Sequence, residues 1–314
     1  MKILLFPFAI IFWCITSLRN WFYDKNIFKS TEFDVPIISV GNLAVGGSGK
    51  TPMVEHLIKH LQPDYNIVVL SRGYGRKTTG FKWVQPEDSF SETGDEPLQI
   101  KLKYPEINVA VCEKRVDGVI QILSEKPNTN LILLDDAFQH RAIKPSINLI
   151  LSEYSNPYFK DWIMPIGRLR ECRKEINRAD ALIYTKCPDS YQEYSVVNLP
   201  TFYSKILYTK PVVQGEVFGF SGLANNTLFQ EYLSQNYNLI GFKGFRDHYS
   251  FKLTDIESLI KDAKGAQLIC TEKDFIKIKN LAGSEEILFI TIENEIEGNE
   301  DFMMWLKDKI KIES

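Results

Sequence analysis

A glycine-rich loop followed by lysine and threonine has the most specific chemistry in the sequence. The loop, GNLAVGGSGKTP at residues 41–52, lies between an apolar run and the helical pattern MVEHLIKHL. Backbone N–H groups of such a loop point at phosphate oxygens, and the helix N-terminus adds a favourable dipole. The lysine can reach the β- and γ-phosphates, and the threonine hydroxyl can ligate Mg²⁺. The predicted nucleotide-binding residues are Gly46, Gly47, Ser48, Gly49, Lys50 and Thr51.

A second motif, which is acidic, supplies the carboxylates that phosphoryl chemistry needs. In LILLDDAFQH, a run of four apolar residues leads into Asp135 and Asp136. A carboxylate at the C-terminal end of a parallel strand lies at the sheet edge where ligands bind. An Asp-Asp pair often caps a helix or turn, but together with Lys50 and Thr51 it predicts a Mg²⁺ site of Walker B character formed by Thr51, Asp135 and Asp136.

Two further polar loops are candidates for holding the group that receives or loses phosphate. In RGYGR, Arg72 and Arg76 suit an anionic acceptor because guanidinium binds phosphate in a fork, and a solvated basic turn is the alternative. In TGDEP, Asp95 could accept a hydroxyl proton as general base or cap the helix that begins at Glu96. The sequence does not separate these two roles.

Charged motifs later in the chain are less specific. MPIGRLRECRKE contains Arg170, and an arginine there could stabilise charge on a transferring group. His248 follows Asp247 in GFRDHYSF, where a histidine is more often structural than catalytic. The motif TEKD, residues 271–274, ends an apolar run.

Alternating apolar and helical segments predict an α/β fold. Apolar runs at 35–40, 66–71, 107–112, 131–135, 147–152 and 179–185 alternate with helical patterns such as 53–61 and 116–123. Strands that are apolar on successive positions are buried on both faces, as in a parallel sheet flanked by helices. The pattern restarts with probable helices at 224–235, 254–263 and 299–310. We therefore predict a P-loop NTPase-type core at residues 29–209 and a smaller α/β domain at 210–314.

The first 28 residues form an apolar N-terminal segment. Residues 3–18, ILLFPFAIIFWCITSL, are flanked by basic residues and followed by Trp21, Phe22 and Tyr23. Spanning a bilayer takes about 20 residues, so an interfacial helix fits better than a full crossing. A cleaved signal is disfavoured because no small-residue cleavage site follows. A buried core helix is an equally compatible alternative on this stretch alone.

Composition excludes several other classes of protein. The 314 residues carry 37 Lys and Arg against 40 Asp and Glu, so the net charge is −3 and there is no excess of positive charge to bind nucleic acid. The five cysteines are scattered without a CxxC pair, which argues against a disulfide framework or zinc site and indicates a reducing compartment. We predict no nucleic-acid partner and no protein partner.

The order of these motifs resembles the tetraacyldisaccharide 4′-kinase family of lipid A biosynthesis. GNLAVGGSGKTP, RGYGR, TGDEP, DDAFQHR, GRLRE, DHYSF and TEKD follow one another behind an apolar N-terminus, over about the first 280 residues. The resemblance implies transfer of the ATP γ-phosphoryl group to the 4′-hydroxyl of a tetraacylated glucosamine disaccharide 1-phosphate. It also implies an enzyme anchored by its N-terminal helix at the cytoplasmic face of the bacterial inner membrane.

The resemblance also assigns roles to individual residues. It implies that Lys50 and Thr51 are the P-loop pair, that Asp135 and Asp136 are the Walker B acids and that Asp95 is the base for the 4′-hydroxyl. It implies that His248 orients or tunes Asp95, which requires the second domain to close over the first. The residues it suggests for substrate binding are Arg72, Arg76, Arg115, Arg170 and Glu171. Ala44 and Ala137 depart from the family's usual glycines.

Two other functions are compatible with a P-loop. One is a kinase that phosphorylates a soluble small molecule, and the other is a nucleotide-hydrolysing switch that signals to a partner. The sequence contains no convincing base-reading motif, so it does not distinguish between nucleotide bases.

Overall fold

The computed structural model describes residues 2–209, 211–223 and 225–313. The predicted domain boundary at 210 and the predicted helix start at 224 lie outside these residues. In chain order the strands are β1 Ile37–Asn42, β2 Ile67–Ser71, β3 Lys82–Trp83, β4 Asn108–Val111, β5 Leu131–Asp135, β6 Ile147–Glu153, β7 Ala181–Thr185, β8 Thr201–Tyr208, β9 Glu216–Ser221, β10 Asn238–Gly244, β11 Gln267–Thr271, β12 Leu288–Ile290 and β13 Ile292–Ile296. The α-helices are α1 Phe6–Asp24, α2 Lys50–Leu61, α3 Phe90–Thr93, α4 Asp95–Lys103, α5 Arg115–Glu125, α6 Thr227–Asn236, α7 Leu253–Ala263, α8 Glu272–Ile278 and α9 Asn299–Glu313.

The larger sheet has the order β13-β8-β7-β6-β1-β5-β2-β4-β3. Its seven inner strands are parallel, and the edge strands β3 and β13 are antiparallel to their neighbours. Successive residues of the inner strands face opposite layers: Ile38 and Val40 pack with α2, whereas Ile37 packs with α5. This two-sided burial explains why the strands are apolar on consecutive positions, and it confirms the predicted α/β class.

The smaller sheet is parallel, with the order β10-β9-β11-β12. Its two faces pack separate clusters, with Ile256 of α7 on one face and Phe229 of α6 on the other. The helix α8, which follows β11, does not stay within this domain. Its Ile276 joins the hydrophobic core of the larger domain, so α8 is the packed junction between the two domains.

The chain returns to the larger sheet after the smaller one. β13 pairs with β8, and α9 places Phe302 and Leu306 in the core of the larger domain. The predicted range 210–314 for the smaller domain is thus corrected, because its sheet occupies only residues within 216–290. The apolar run EILFITI at residues 286–292 is divided at Thr291, with β12 before it in the smaller sheet and β13 after it in the larger one. The sequence pattern alone does not reveal this division.

The apolar N-terminal segment forms the predicted helix α1, and most of its large apolar side chains are exposed. Only Ala9 and Asn20 of α1 are buried among its described side chains, so the alternative of a buried core helix is wrong. The exposed apolar residues of this helix include Phe6, Phe8, Ile10, Ile11, Trp13, Ile15, Leu18 and Trp21. Within the described ranges, no helix has the length and apolar character to cross a membrane.

Candidate active site

Several of the predicted site motifs follow strands at one edge of the larger sheet. Because β1, β2, β5 and β7 run parallel, their carboxyl ends meet at the same edge. The glycine loop follows β1, RGYGR follows β2 and Asp136 follows β5. The order of strands therefore brings together motifs that are far apart in the chain.

The glycine loop is held in shape by side chains beneath it. The Asn42 side-chain amide donates to the carbonyl of Ala44 at 2.5 Å and to Ser48 Oγ at 2.8 Å, while Thr185 Oγ1 donates to the Ser48 carbonyl at 2.9 Å. Gly49 caps α2 with φ +80°, a left-handed conformation that favours glycine. These bonds leave Gly46 and Gly47 exposed, as a phosphate cradle requires.

The loop containing GRLRE braces the glycine loop from the side. Val45 N donates to the carbonyl of Arg168, and Arg170 N donates to the carbonyl of Leu43. Ala44 forms a bridge with Leu169, so the position that departs from the family pattern is an ordinary extended contact.

Asp136 lies between two cations of the site. Its carboxylate is 3.8 Å from Lys50 Nζ and 2.8 Å from Arg170 Nη2, and Arg170 also donates to the Asn42 carbonyl at 3.0 Å. Burial raises the pKa of Asp136, but the charges of Lys50 and Arg170 outweigh burial and hold the pKa below its usual range. The structure therefore brings Lys50, Asp136 and Arg170 together.

Asp135 provides an observation on which to test Mg²⁺ binding. It is 1% exposed, its Oδ2 accepts from Ser71 Oγ at 3.2 Å, and its buried Oδ1 has no hydrogen-bond partner within the described residues. Burial raises the pKa of this carboxyl, with the charges of Glu96 and Asp136 adding to the effect. An orphaned carboxylate oxygen is the kind of group that a cation satisfies.

The donor set fits Mg²⁺. The described residues contain no group of three or more His, Cys, Asp or Glu side chains that could hold a metal. Mg²⁺ is usually bound by one or two carboxylates, with waters and substrate phosphates completing its shell. Asp135, Asp136 and the Thr51 hydroxyl match that requirement.

Asp95 and His248 meet across the domain junction. Asp95 is the first residue of α4, and its Oδ2 accepts a 2.9 Å hydrogen bond from Nδ1 of His248, which belongs to the smaller domain. Burial raises the pKa of Asp95, but the bond from His248 and the charges of Lys273 and Lys277 hold it well below its usual range. The hydrogen bond to Asp95 raises the pKa of His248. The carboxylate is thus ionised at neutral pH.

The residues suggested for substrate binding fall into two groups. Arg72 is exposed, and Arg170 faces Asp136. The Arg76 side chain is 2% exposed and paired with Glu113. Arg115 and Glu171 are each 1% exposed.

Their protein partners explain why the second group is buried. Arg115 donates to the carbonyls of Cys112 and Asp135, while Glu171 pairs with Arg19 and Arg178. The charged groups of Arg76, Arg115 and Glu171 are thus engaged by protein partners, and their direct contact with substrate stays a prediction.

Sequence reasoning missed two residues of the site, Lys273 and Lys277. Both lie on α8 and approach Asp95 Oδ2, at 3.7 and 3.5 Å. The TEKD motif and the four-residue spacing of the lysines were visible, but nothing local placed that helix face against Asp95. Asn42, which organises the glycine loop, also gave no signal beyond its place at a strand end.

Comparisons with known proteins agree over nearly the whole chain. A family model described as LpxK, tetraacyldisaccharide-1-P 4′-kinase, matches residues 1–311. A tetraacyldisaccharide 4′-kinase of Flavobacterium johnsoniae is 37% identical, over 93% of this chain and 92% of its own length. One from Cytophaga hutchinsonii is 38% identical, over 88% and 86%. A crystal structure of an "apo" form LpxK from Aquifex aeolicus in complex with ATP has a TM-score of 0.83, with 32% identity, over 98% of this chain and 99% of that one.

Proposed function

The chain belongs to the LpxK family of tetraacyldisaccharide-1-P 4′-kinases, and on that basis we propose how its residues carry out the reaction. The enzyme transfers the γ-phosphoryl group of ATP to the 4′-hydroxyl of tetraacyldisaccharide 1-phosphate, in lipid A biosynthesis. The observation that carries the mechanism is the 2.9 Å hydrogen bond from His248 to Asp95, which supplies an oriented carboxylate at the first residue of α4.

The glycine loop and Lys50 hold the triphosphate. The backbone N–H groups of Gly46, Gly47 and Gly49 and the N-terminus of α2 would face the β- and γ-phosphates, while Ser48 N donates to the Gly46 carbonyl at 2.9 Å. Lys50 Nζ adds a positive charge. Thr51, Asp135 and Asp136 would hold Mg²⁺, which neutralises developing phosphate charge when bound. Arg170 fixes Asp136 through two hydrogen bonds and so keeps that carboxylate aimed at the loop.

Asp95 acts on the acceptor. The proton of the 4′-hydroxyl passes to the Asp95 carboxylate as the hydroxyl oxygen bonds to the γ-phosphorus, and the bond to the β-phosphate oxygen breaks to leave ADP. A carboxylate with a depressed pKa is a weak base, so its contribution comes from position and from being ionised beforehand. His248 orients it from the smaller domain, so docking of that domain completes the site.

The exposed Arg72 is the arginine of RGYGR that is available to the 1-phosphate disaccharide. Its guanidinium can bind phosphate in a fork, as Arg76 cannot while paired with Glu113. We assign Arg76 and Arg115 to holding the loops, and Glu171 to holding α1.

The N-terminal helix places the enzyme at a lipid surface, at the cytoplasmic face of the inner membrane. Arg19 pairs with Glu171 at 2.6 Å and Arg141 pairs with Asp24 at 2.7 Å, so the polar side of α1 is fixed to the larger domain. The rest of the helix exposes apolar and aromatic side chains, a contiguous patch typical of membrane contact. A four-chain lipid can then present only its sugar head to the site.

A transfer assay tests the function against both alternatives. Purified protein in mild detergent receives γ-labelled ATP, Mg²⁺ and tetraacyldisaccharide 1-phosphate, and products are separated by thin-layer chromatography. Label in the lipid is the expected result. Free phosphate released at a rate that the lipid does not change would favour the hydrolysing switch. Transfer only to a water-soluble acceptor, unaffected by deleting residues 1–25, would favour the soluble-substrate kinase.

A further inference from the structure

Two lysines of α8 reach out of the smaller domain to the carboxylate of Asp95. Lys277 Nζ is 3.5 Å from Asp95 Oδ2, and its side chain is only 2% exposed. Lys273 Nζ is 3.7 Å from the same oxygen and 3.4 Å from Nε2 of His248. Two cations and one imidazole thus converge on a single carboxylate oxygen.

The other oxygen of Asp95 has a different environment. Oδ1 accepts only the backbone N–H of Glu96, at 3.1 Å, among the contacts of the described residues. We propose that Lys273 and Lys277 are positioning residues for phosphoryl transfer. They hold Oδ2 of Asp95 on the smaller domain and leave Oδ1 as the oxygen that takes the proton of the 4′-hydroxyl. This inference rests on the proposed role of Asp95 as the base.

Lys273 also faces the ring of His248 and favours one tautomer of the neutral imidazole. An ammonium group has three donors and no acceptor, so Nε2 facing it is the unprotonated ring nitrogen. The hydrogen of the neutral ring is then on Nδ1, directed at Asp95. The charge of Lys273 opposes a second proton at Nε2, whereas Asp95 and the Asp247 carboxylate, 3.8 Å from Nε2, favour it and raise the pKa of His248 overall.

Lys277 links the base to the frame of the smaller domain. Its Nζ is 3.5 Å from Oδ1 of Asp274, a residue with no exposed surface. The Asp274 carboxylate accepts from Gly222 N at 2.9 Å and from Thr271 Oγ1 at 2.7 Å, at the ends of β9 and β11. Through its ion pairs with Asp95 and Asp274, Lys277 therefore ties the position of the Asp95 carboxylate to the smaller domain.

Other charges near Asp95 do not replace these lysines. Glu96 and Asp247 are both acidic, and each lies within 4 Å of Lys273 Nζ. These two acids stabilise the Lys273 ammonium group. If that group were removed, their negative charges would raise the pKa of Asp95. With both lysines removed, burial and these acids oppose ionisation of Asp95, with His248 as the remaining cationic partner.

The test compares Lys273→Met, Lys277→Met and the double variant with Lys279→Met. Lys279 lies on the same helix end and also crosses the junction, but its Nζ donates to the Pro86 carbonyl at 3.4 Å and does not approach Asp95. For each lysine variant of the pair we expect kcat to fall about 10- to 100-fold, with the KM for ATP within about twofold of wild type. Lys279→Met should retain wild-type kcat.

The pH profile separates positioning from folding. Opposite charges within a few ångströms lower a carboxyl pKa by about 1–3 units, so their loss should move the acid limb of kcat/KM upward by about that amount. Measured between about pH 4 and 8, the double variant should lose activity on the acid side at a higher pH than wild type does, while the control keeps the wild-type profile. A variant that is merely less well folded would lose activity evenly across this range.

A second measurement does not depend on turnover. The chain has four histidines, so the imidazole signal of His248 can be assigned by its loss in His248→Gln and titrated by NMR. Lys273 lowers the pKa of His248, so Lys273→Met should raise it further, whereas Lys279→Met should leave it unchanged.

If the acid limbs and the His248 titration are unchanged in the lysine variants, this inference is wrong. The proposed role of Asp95 as the base would still stand, provided that Asp95→Asn is inactive. Wild-type kcat in Asp95→Asn would instead remove the proposed base and this inference with it.

Discussion

Asp95 and His248 are 153 residues apart, yet Nδ1 of His248 lies 2.9 Å from Oδ2 of Asp95, across the junction between the two domains. Neither domain alone contains the pair. Asp95 begins α4 on the larger domain, and His248 follows β10 of the smaller one with φ +52°. The packing of α8 into the larger core therefore decides whether the site is assembled.

Replacing Asp95 with asparagine should separate chemistry from nucleotide binding. The amide keeps the size of the side chain but cannot take the acceptor proton, and general-base catalysis contributes about 10²- to 10⁴-fold. We expect kcat to fall by about that factor, with the ATP affinity measured by calorimetry within about threefold. An Asp117→Asn variant makes the same substitution at a 63% exposed aspartate of α5 and should keep its activity.

The same carboxylate gives stability a defined pH dependence. The folded-state pKa of Asp95 is depressed, so its contribution is fully present above the unfolded value of about 3.9 and is lost as pH falls through the lower folded value. His248 has a raised pKa, so its contribution is present below about 6.5 and is lost as pH rises through the folded value.

The contact between the domains should therefore be strongest between about pH 5 and 6.5. Urea unfolding of wild type and Asp95→Asn, measured from pH 7 down to 3, should show a difference that is constant above about pH 5 and shrinks by up to about 1.4 kcal/mol for each pH unit below about 3.9. A difference that stayed constant with pH would mean that Asp95 is not held ionised.

Much of the phosphate site could be predicted because its determinants are local. The glycine loop, Lys50 and Thr51 are contiguous, and Asp135 and Asp136 follow a buried strand whose carboxyl end is fixed by parallel topology. What the structure adds is which side chains are already engaged. The family resemblance suggests Arg115 and Glu171 for substrate binding, and nothing in the sequence indicates that they are buried, because charged residues are seldom fully buried.

Their burial depends on partners from distant segments. Glu171 is satisfied by Arg19, 152 residues away, and nothing in GRLRE indicates that contact. The lysines of α8 are a similar case, since their acidic partner lies in the other domain. Pairing across domains depends on tertiary packing, and neither periodicity nor motif spacing reports it.

Gly94 fixes the start of α4 against RGYGR, and alanine there should displace the base. A Cβ at this position would lie 3.2 Å from Gly73 Cα and from the Tyr74 carbonyl oxygen, and the backbone has φ +91°. We expect Gly94→Ala to cost about 1–3 kcal/mol in unfolding free energy and to lower kcat about tenfold or more.

Gly75→Ala is the matched control for Gly94→Ala. Its φ is +77°, but nothing lies within 4 Å of its Cβ position, so it should lose about 1 kcal/mol and keep its kcat. Equal losses of kcat in the two variants would show that close packing at Gly94 does not set the position of Asp95.

Glu171→Gln should destabilise the protein more than loss of its partner on α1 does. Neutralising this buried acid removes one of the two acidic partners of Arg178, the other being Glu175, and should cost about 1.5–3 kcal/mol, the value of a hydrogen bond to a charged group. Arg19→Met should cost less than about 1 kcal/mol, because Arg19 is 38% exposed and its charge is screened by solvent. Urea unfolding measures both. An unchanged stability with a raised KM for the lipid would return Glu171 to direct substrate binding.

Acidic residues on the apolar side of α1 should detach the enzyme from lipid. Ile11 and Ile15 are one helical turn apart and 56% and 62% exposed. Burying an isoleucine side chain is worth about 1.5–3 kcal/mol, so Ile11→Glu/Ile15→Glu should lower vesicle partitioning at least about tenfold. The variant should keep its kcat on acceptor dispersed in detergent, because α1 supplies no group to Asp95 or the phosphate loop.

Ile120→Glu is the control for this experiment, since Ile120 on α5 is 55% exposed and thus matched to Ile11. Cosedimentation with vesicles of mixed zwitterionic and anionic lipids should bring down wild type and Ile120→Glu alike. Loss of binding in Ile120→Glu to the same extent would show that general surface hydrophobicity, and not α1, holds the protein to lipid. Full binding by the double α1 variant would place the membrane contact elsewhere on the larger domain.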